Sequence, residues 1–212
     1  MVYGRVVRPP NDIGVLFDVD ESAAASLSGV LAVVRDGSFL GVLAEREDQA
    51  EAAAADLQDK AHWRGDPLPG AAQLYANLLS QESQDFLVID GVPQDDSVPP
   101  IETQADACQT LSATYYRPYH MHAALGPAAA AARWHDDRLE IWSHTQGVYP
   151  LRGSIAAVLD LPESQVRVFH VEGPGCYGHN GADDVALDAA LLARVLPGRP
   201  LLLQWSRADE HA

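Results

Sequence analysis

The chain has 212 residues, 47% hydrophobic and 21% charged, with 30 acidic against 14 basic side chains and a formal net charge of −16. That length can bury a substantial core and sets a prior of one to two domains. The acidic balance excludes a nucleic-acid binder, which needs clustered Lys and Arg for phosphate contacts, and favours solubility. Cys108 and Cys176 lie far apart, without CxxC or Cys/His ligand spacing. Neither a disulfide framework nor a structural zinc site is indicated, and a single bridge stays open. No window approaches the ~20 apolar residues that span a bilayer. The start, Met1-Val2-Tyr3-Gly4-Arg5, lacks the apolar region of a signal peptide. It opens already in a strand pattern, and the other end stops soon after one, so both ends read as cut.

Val2 to Arg8 alternates as a short strand closed by Pro9-Pro10-Asn11-Asp12. Asp20 or Ser22 caps a brief alanine-rich helix ending near Gly29. Val30 to Arg35 and Ser38 to Ala44 flank Asp36-Gly37, a type I′ hairpin signal. Glu45 to Lys60 reads as a helix, with alanines at Ala50 and Ala52 to Ala55 and acidic residues in its first turn. Between Asp66 and Asp106 prolines, glycines and acidic residues dominate, the composition of a connecting segment. A short helix at Ala71 to Leu79 and a strand at Phe86 to Ile89 are expected within it.

Strand character returns at Thr110 to Tyr116, then in a pair, Ala128 to Trp134 and Leu139 to His144, around His135-Asp136-Asp137-Arg138. A helix is expected near Leu151 to Leu159. Val166 to Val171 is a strand, Gly173-Pro174-Gly175-Cys176-Tyr177-Gly178-His179-Asn180-Gly181 a glycine-rich loop, and Asp183 to Arg194 a helix. Pro197-Gly198 stops that helix before a buried strand at Leu201 to Trp205. This order fits a βαβ-like unit in an α/β layer.

Four glycines in nine residues let the backbone approach a ligand closely. A loop feeding a helix presents unpaired N–H groups to an anion or polar heterocycle. A tight structural turn is the competing reading. Asp183 and Asp184 serve the helix start and oppose an anion there. Gln146, at a strand end, can both donate and accept hydrogen bonds in a crevice. Cys176 gains nucleophilicity if loop N–H groups lower its pKa, with His179 as its partner, yet a packed small residue is the favoured reading. His120 and His122 can share a face of an extended segment as metal ligands, but no third ligand has recognisable spacing, so hydrogen-bonded histidines are favoured.

Arg117-Pro118-Tyr119-His120-Met121-His122 through Gly126-Pro127, then Leu139 to Gln146, then Val166 to Asp184 resemble the molybdopterin-binding large subunit of the xanthine dehydrogenase and aldehyde oxidase family. The glycine loop is most similar to the nicotinate dehydrogenase-like and isoquinoline oxidoreductase-like branch, with Cys176-Tyr177 replacing part of the glycine run. Residues 1–65 resemble that family's α/β hammerhead domain. The resemblance implies an α+β or mixed α/β fold: hammerhead-like domain 1–65, connecting segment 66–108, and partial molybdopterin-binding domain 109–212.

It further implies a molybdenum hydroxylase that adds oxygen from water to an aldehyde or N-heterocycle. Electrons would leave through iron–sulfur clusters on a partner, a two-cluster [2Fe-2S] small subunit. The molybdopterin cofactor would be held by Gln146, Gly175, Cys176, Tyr177 and Gly178, with Gln146 beside the molybdenum's apical ligand and Tyr177, opposite Gln146 across the crevice, facing the metal centre with its backbone. The cofactor's nucleotide form stays open, cytosine dinucleotide among the candidates. No protein residue is a direct metal ligand in that scheme. The family's glutamate base and further pterin-binding loops lie in a downstream half that would be supplied as a partner, so the chain is expected to be inactive alone. Gly126 stands where many relatives carry glutamate. A non-catalytic assembly module or a gene fragment are the alternative readings. The compartment is expected to be the cytoplasm, or the periplasm through a partner's export signal.

Overall fold

The computed structural model describes residues 1–11, 14–66, 68–100, 102–118, 120–178 and 181–211. Along the chain run β1 (Val2–Val6), β2 (Val15–Asp18), α1 (Ser22–Ala25), β3 (Val30–Asp36), β4 (Phe39–Ala44), α2 (Glu47–Lys60) and β5 (His62–Arg64). There follow α3 (Leu74–Ser80), β6 (Leu87–Ile89), β7 (Val92–Gln94), β8 (Ala129–His135), β9 (Arg138–Ser143), α4 (Val148–Val158), β10 (Val166–His170), α5 (Ala182–Ala193) and β11 (Leu201–Gln204). They group into two compact units, one of residues 1–67 with 121–212, the other of residues 68–120.

The larger unit is built on a seven-stranded mixed sheet ordered β10-β9-β8-β11-β1-β4-β3. With helices on both faces this is the expected mixed α/β class. β9 and β10 run parallel, joined through α4, while β8 and β9 form an antiparallel hairpin. The sheet draws on both the 1–65 and the 109–212 segments, because β1 pairs parallel with β11 on one side and antiparallel with β4 on the other. A strand with partners on both sides satisfies its full ladder of N–H and C=O groups in the interior.

Side chains alternate across the sheet, so each face has its own core. One buries Ala130, Ala132, Leu139, Ile141, Leu201 and Leu203 under α4 and α5. The other buries Leu40 and Val42 under Ala53 and Leu57 of α2. Gly4 and Gly41, on neighbouring strands, form the hollow that seats Leu192 of α5; a Cβ at Gly4 would lie 2.9 Å, and at Gly41 3.0 Å, from its methyls. On the opposite face Arg5 is 9% exposed. It binds Glu47 (2.8 Å) and Glu51 (2.7 Å), one turn apart on α2, and the Gln204 carbonyl (2.8 Å). That guanidinium ties α2 to two central strands at once, with its donors occupied as a buried charge requires.

Several local expectations change. The β3–β4 turn has positive φ at Gly37 (60°) and not at Ser38, because Asp36 pairs with Phe39 and the central residues become Gly37-Ser38. Glycine first with one positive φ is the II′ pattern rather than I′. Nothing lies within 4 Å of a Cβ built on Gly37, so Gly37→Ala is expected to cost about 1 kcal/mol from backbone strain alone, read as a small drop in melting temperature. The I′ pattern occurs instead at Asp90-Gly91 (φ 51° and 79°), between β6 and the unanticipated β7. Thr110 to Tyr116 is not a strand. Leu111 and Tyr115 there are almost fully exposed, and among the described residues no neighbouring strand supplies the ladder partners that such a segment needs. In residues 68–120 no described residue is buried.

Candidate functional site

β9 and β10 end side by side, Ser143 in register with His170. The chain leaves β9 through His144-Thr145-Gln146-Gly147 into α4, and leaves β10 into the glycine loop and α5. In open α/β sheets the crevice outside the carboxyl ends of parallel strands is the usual ligand site. A cavity of about 450 Å³ lies there, a size typical of cofactor sites. From the β9 side it is lined by His144, Thr145, Gln146 and Val148, and from the β10 side by His170, Gly173, Gly175 and Cys176.

The β9 corner is held rigidly. Thr145 is buried, and its hydroxyl accepts the Gly147 N–H at 3.0 Å. His170 Nδ1–H donates to the Thr145 carbonyl at 3.1 Å, since a carbonyl can only accept. His144, also buried, accepts the Ala129 N–H on Nε2 at 3.3 Å. Burial pushes its pKa below the usual imidazole range, with His170 adding to the shift, while Glu210 and Asp183 oppose it. The ring is therefore neutral at pH 7 with its proton on Nδ1.

The glycine loop closes on this corner because its backbone comes close. A Cβ on Gly173 would lie 2.5 Å from Cβ and Cγ of His144. Gly175 (φ 105°), Tyr177 (φ 45°) and Gly178 (φ 129°) hold left-handed backbone, conformations cheap only for glycine. Pro174 packs on Gly126 and accepts the Leu125 N–H at 3.1 Å. The Cys176 thiol donates to the Gly178 carbonyl. His122 lies with its ring against Gly178.

Of the five residues expected at the cofactor, Gln146, Gly175 and Cys176 line the cavity. Tyr177 and Gly178 are not among its lining: the Tyr177 ring folds back over Gly175 and is 64% exposed, because positive φ turns it outward. The expected role of Tyr177 belongs to its backbone, which the outward turn of the ring leaves unchanged. His179, Asn180 and Tyr119 lie outside the described residues. Asp183 and Asp184 line a separate cleft with Pro150 and Leu151 of α4, so their charge is not at the cavity wall. His144 and His170 are contributors that strand and loop patterns alone did not mark, whereas Gly173 is one of the four loop glycines; the one available signal for the histidines was the polar break following each apolar strand.

Among the described residues no group of three His, Cys, Asp or Glu side chains gathers to hold a metal ion. The wall offers an amide, neutral imidazole, backbone and a glycine cradle. That donor set fits a cofactor that brings its metal within its own ligands, gripped by hydrogen bonds. No helix among the described residues is long and apolar enough to cross a membrane.

Comparison with known proteins agrees with this geometry. A nicotinate dehydrogenase subunit of Pseudomonas putida is 38% identical over 221 residues, covering 100% of this chain and 18% of that protein. The aldehyde oxidoreductase molybdenum-binding subunit PaoC of Escherichia coli K12 is 29% identical, covering 97% of this chain and 30% of that one. Among solved structures, quinoline 2-oxidoreductase from Pseudomonas putida 86 superposes with a TM-score of 0.70 at 18% identity, covering 99% of this chain and 31% of that chain. The aldehyde oxidoreductase of Desulfovibrio gigas superposes at 0.63 with 16% identity, over 99% and 27% of the two chains. These structures share the fold, and the chain spans less than a third of each of these relatives. Residues 92–212 match the family described as the molybdopterin cofactor-binding domain, which takes in both walls of the cavity, and the chain belongs to that family of molybdenum hydroxylase domains.

Proposed function

We propose that this chain forms one wall of the molybdenum-cofactor site in a hydroxylase acting on an N-heterocycle or aldehyde. The observation that carries this is the cavity at the ends of β9 and β10, where Gln146 meets the Gly173–Cys176 backbone. The higher identity to a nicotinate dehydrogenase subunit favours an N-heterocycle. When bound, the cofactor supplies the two-electron oxidation in which water provides the oxygen added to the substrate carbon.

The chain's own residues bind and orient. Gln146 would hold the metal centre through its amide, on a corner fixed by Thr145 and His170. Gly175, Cys176, Tyr177 and Gly178 would present loop backbone to the cofactor, which left-handed φ values at 175, 177 and 178 support. Neutral His144 sets the position of Gly173 and excludes water from the loop's inner side. The remaining pterin contacts, the base that activates water and the iron–sulfur clusters would come from other polypeptide, including a two-cluster subunit. The cofactor would take its cytosine dinucleotide form, and the compartment would be the cytoplasm, or the periplasm through a partner's export signal.

Metal analysis of the co-purified complex tests this reading. About one molybdenum per chain is expected, and the chain alone, supplied with cofactor, should show no dehydrogenase activity. Molybdenum absent from every complex that contains the chain would reject the cofactor site, and turnover by the isolated chain would reject the need for partners.

A further inference from the structure

The glycine loop is also held from behind. Gly181, its last residue and the cap of α5, lies so close to Trp205 that a Cβ there would sit 2.5 Å from ring atom Cζ3. Trp205 donates its backbone N–H to Ala128 (2.9 Å) and its ring Nε1–H to Asp188 Oδ2 (2.9 Å). The same Asp188 oxygen takes Nη2 of Arg8 at 2.5 Å, and the Arg8 guanidinium covers the Trp205 ring at 4.4 Å. Arg8 Nε is buried with no acceptor among the described residues. Its charge is thus left to Asp188, to the aromatic face and to the solvent that reaches its tip. Asp188 itself is 5% exposed. Cofactor binding uses none of these three side chains directly.

We propose that Arg8, Asp188 and Trp205 are positioning residues that hold the glycine loop in its cofactor-binding shape through the contact of Trp205 with Gly181, and that the charge on Asp188 latches them. This rests on the reading of the cavity as a cofactor site. With the carboxylate ionised, Arg8 and Trp205 are drawn onto one oxygen and the indole is clamped over Gly181. Protonation removes the attraction for Arg8 and loosens the indole.

Burial pushes the Asp188 carboxyl up to about 6; Arg8 and the Trp205 hydrogen bond pull it down, and Asp184 and Asp209 push it further up. Those are the charged groups that face it, since β8 and β9 turn towards α5 alanine, leucine and isoleucine together with the uncharged Trp134 and Ser143, which donate to the Ala190 and Ala182 carbonyls. A carboxyl pKa raised on folding means that the folded state binds the proton more tightly. Stability from this group therefore grows as pH falls through about 6 towards the unfolded value of 3.8. An open state in which Arg8 and Trp205 have left the still-buried carboxyl loses both influences that lower its pKa, so it holds the proton more tightly again, and acidification opens the latch without unfolding the chain through this residue. A cavity of about 760 Å³ beside Arg8, Trp205 and Asp209 gives the Arg8 side chain room to move off the carboxylate.

The test uses the assembled complex, with molybdenum content after dialysis and amide hydrogen exchange of residues 173–181 followed between about pH 5 and 8. The wild type is expected to keep its molybdenum above pH ~7 and to lose it several-fold faster below pH ~6, with loop exchange, corrected for intrinsic rates, rising in the same step. Asp188→Asn keeps an acceptor for Trp205 but no charge for Arg8. It should show fast loss and fast exchange at every pH, without the step. Trp205→Phe loses both the Nε1–H donor and the benzo-ring atoms that meet Gly181, and should also show fast loss and fast exchange; it decides the matter if the Asn variant fails to fold. An Asn variant that retains the wild-type step, or a Phe variant indistinguishable from wild type, overturns the proposal. Should the wild type hold no molybdenum at any pH, the cofactor reading fails, and the exchange step alone still decides for or against the latch.

Discussion

Gln146→Ala in the assembled complex is expected to lower turnover per bound molybdenum by about 100-fold, the scale for deleting one preorganised donor at a reacting centre. The amide is exposed to the cavity, while the backbone on either side of it is pinned. Gly147 N–H bonds to the Thr145 hydroxyl, and His170 bonds to the Thr145 carbonyl. Truncation at Cβ therefore removes a hydrogen-bonding group without releasing the corner that carries it. Melting temperature and molybdenum content should stay close to wild type, and the loss should fall on kcat rather than KM. Gln146→Glu, which exchanges a donor for a charged acceptor of the same length, should not restore activity. Steady-state kinetics normalised to metal decide the point, and unchanged turnover in the alanine variant would remove Gln146 from the site.

Gly173→Ala is expected to damage both fold and site. The added Cβ meets Cβ and Cγ of His144 at 2.5 Å. Those atoms cannot swing aside as a side-chain tip would, because His144 is buried and its Nε2 is bonded to Ala129. Either the loop lifts off β9 or the hydrogen bond breaks. Overpacking of this kind costs about 1–3 kcal/mol, occasionally more. Lifting the loop also opens the cavity wall, so molybdenum content should fall by about tenfold, the scale for losing about 1.4 kcal/mol of binding energy. Thermal unfolding and metal analysis of the same preparation separate the two effects. Gly175→Ala is the useful contrast. The atoms nearest its Cβ would be those of the exposed Tyr177 ring, which can give way, leaving the cost of left-handed backbone at φ 105°. A Gly173 variant as stable and as metal-rich as wild type would show that the close approach to His144 is not needed.

Local order along the chain was legible wherever a periodic pattern ran between turn signals. The β8–β9 hairpin, α2, α5 and β11 fall where alternation or helical spacing places them. Pro93 hid β7, since proline argues against a strand unless, as here, it lies in a two-stranded ribbon with an open edge. Thr110 to Tyr116 misled in the opposite sense: its β-branched and aromatic content suits a strand, but strand propensity expresses a fit to neighbours that this segment lacks. Gln146, Gly175 and Cys176 could be picked out by residue type beside a loop or strand end. His144 and His170 could not, because the register of two parallel strands brings them to one cavity. The Arg8–Asp188 pair joins residues 180 positions apart, a separation that no local pattern spans.

The parallel pairing of Val2–Gly4 with Leu201–Leu203 sets the order in which this chain can assemble. Until β11 leaves the ribosome, β1 has β4 along one edge and lacks its partner on the other, and β8 lacks the neighbour that lies between it and β1. Closing the long loop between β1 and β11 is slow compared with forming hairpins or helices. The β3–β4 hairpin, β9, α4 and α5 can therefore be made during synthesis, with apolar strand edges waiting for β11. The nascent domain is exposed to edge-to-edge association over that interval, which makes chaperone protection and co-expression with partner subunits decisive for recovering it folded.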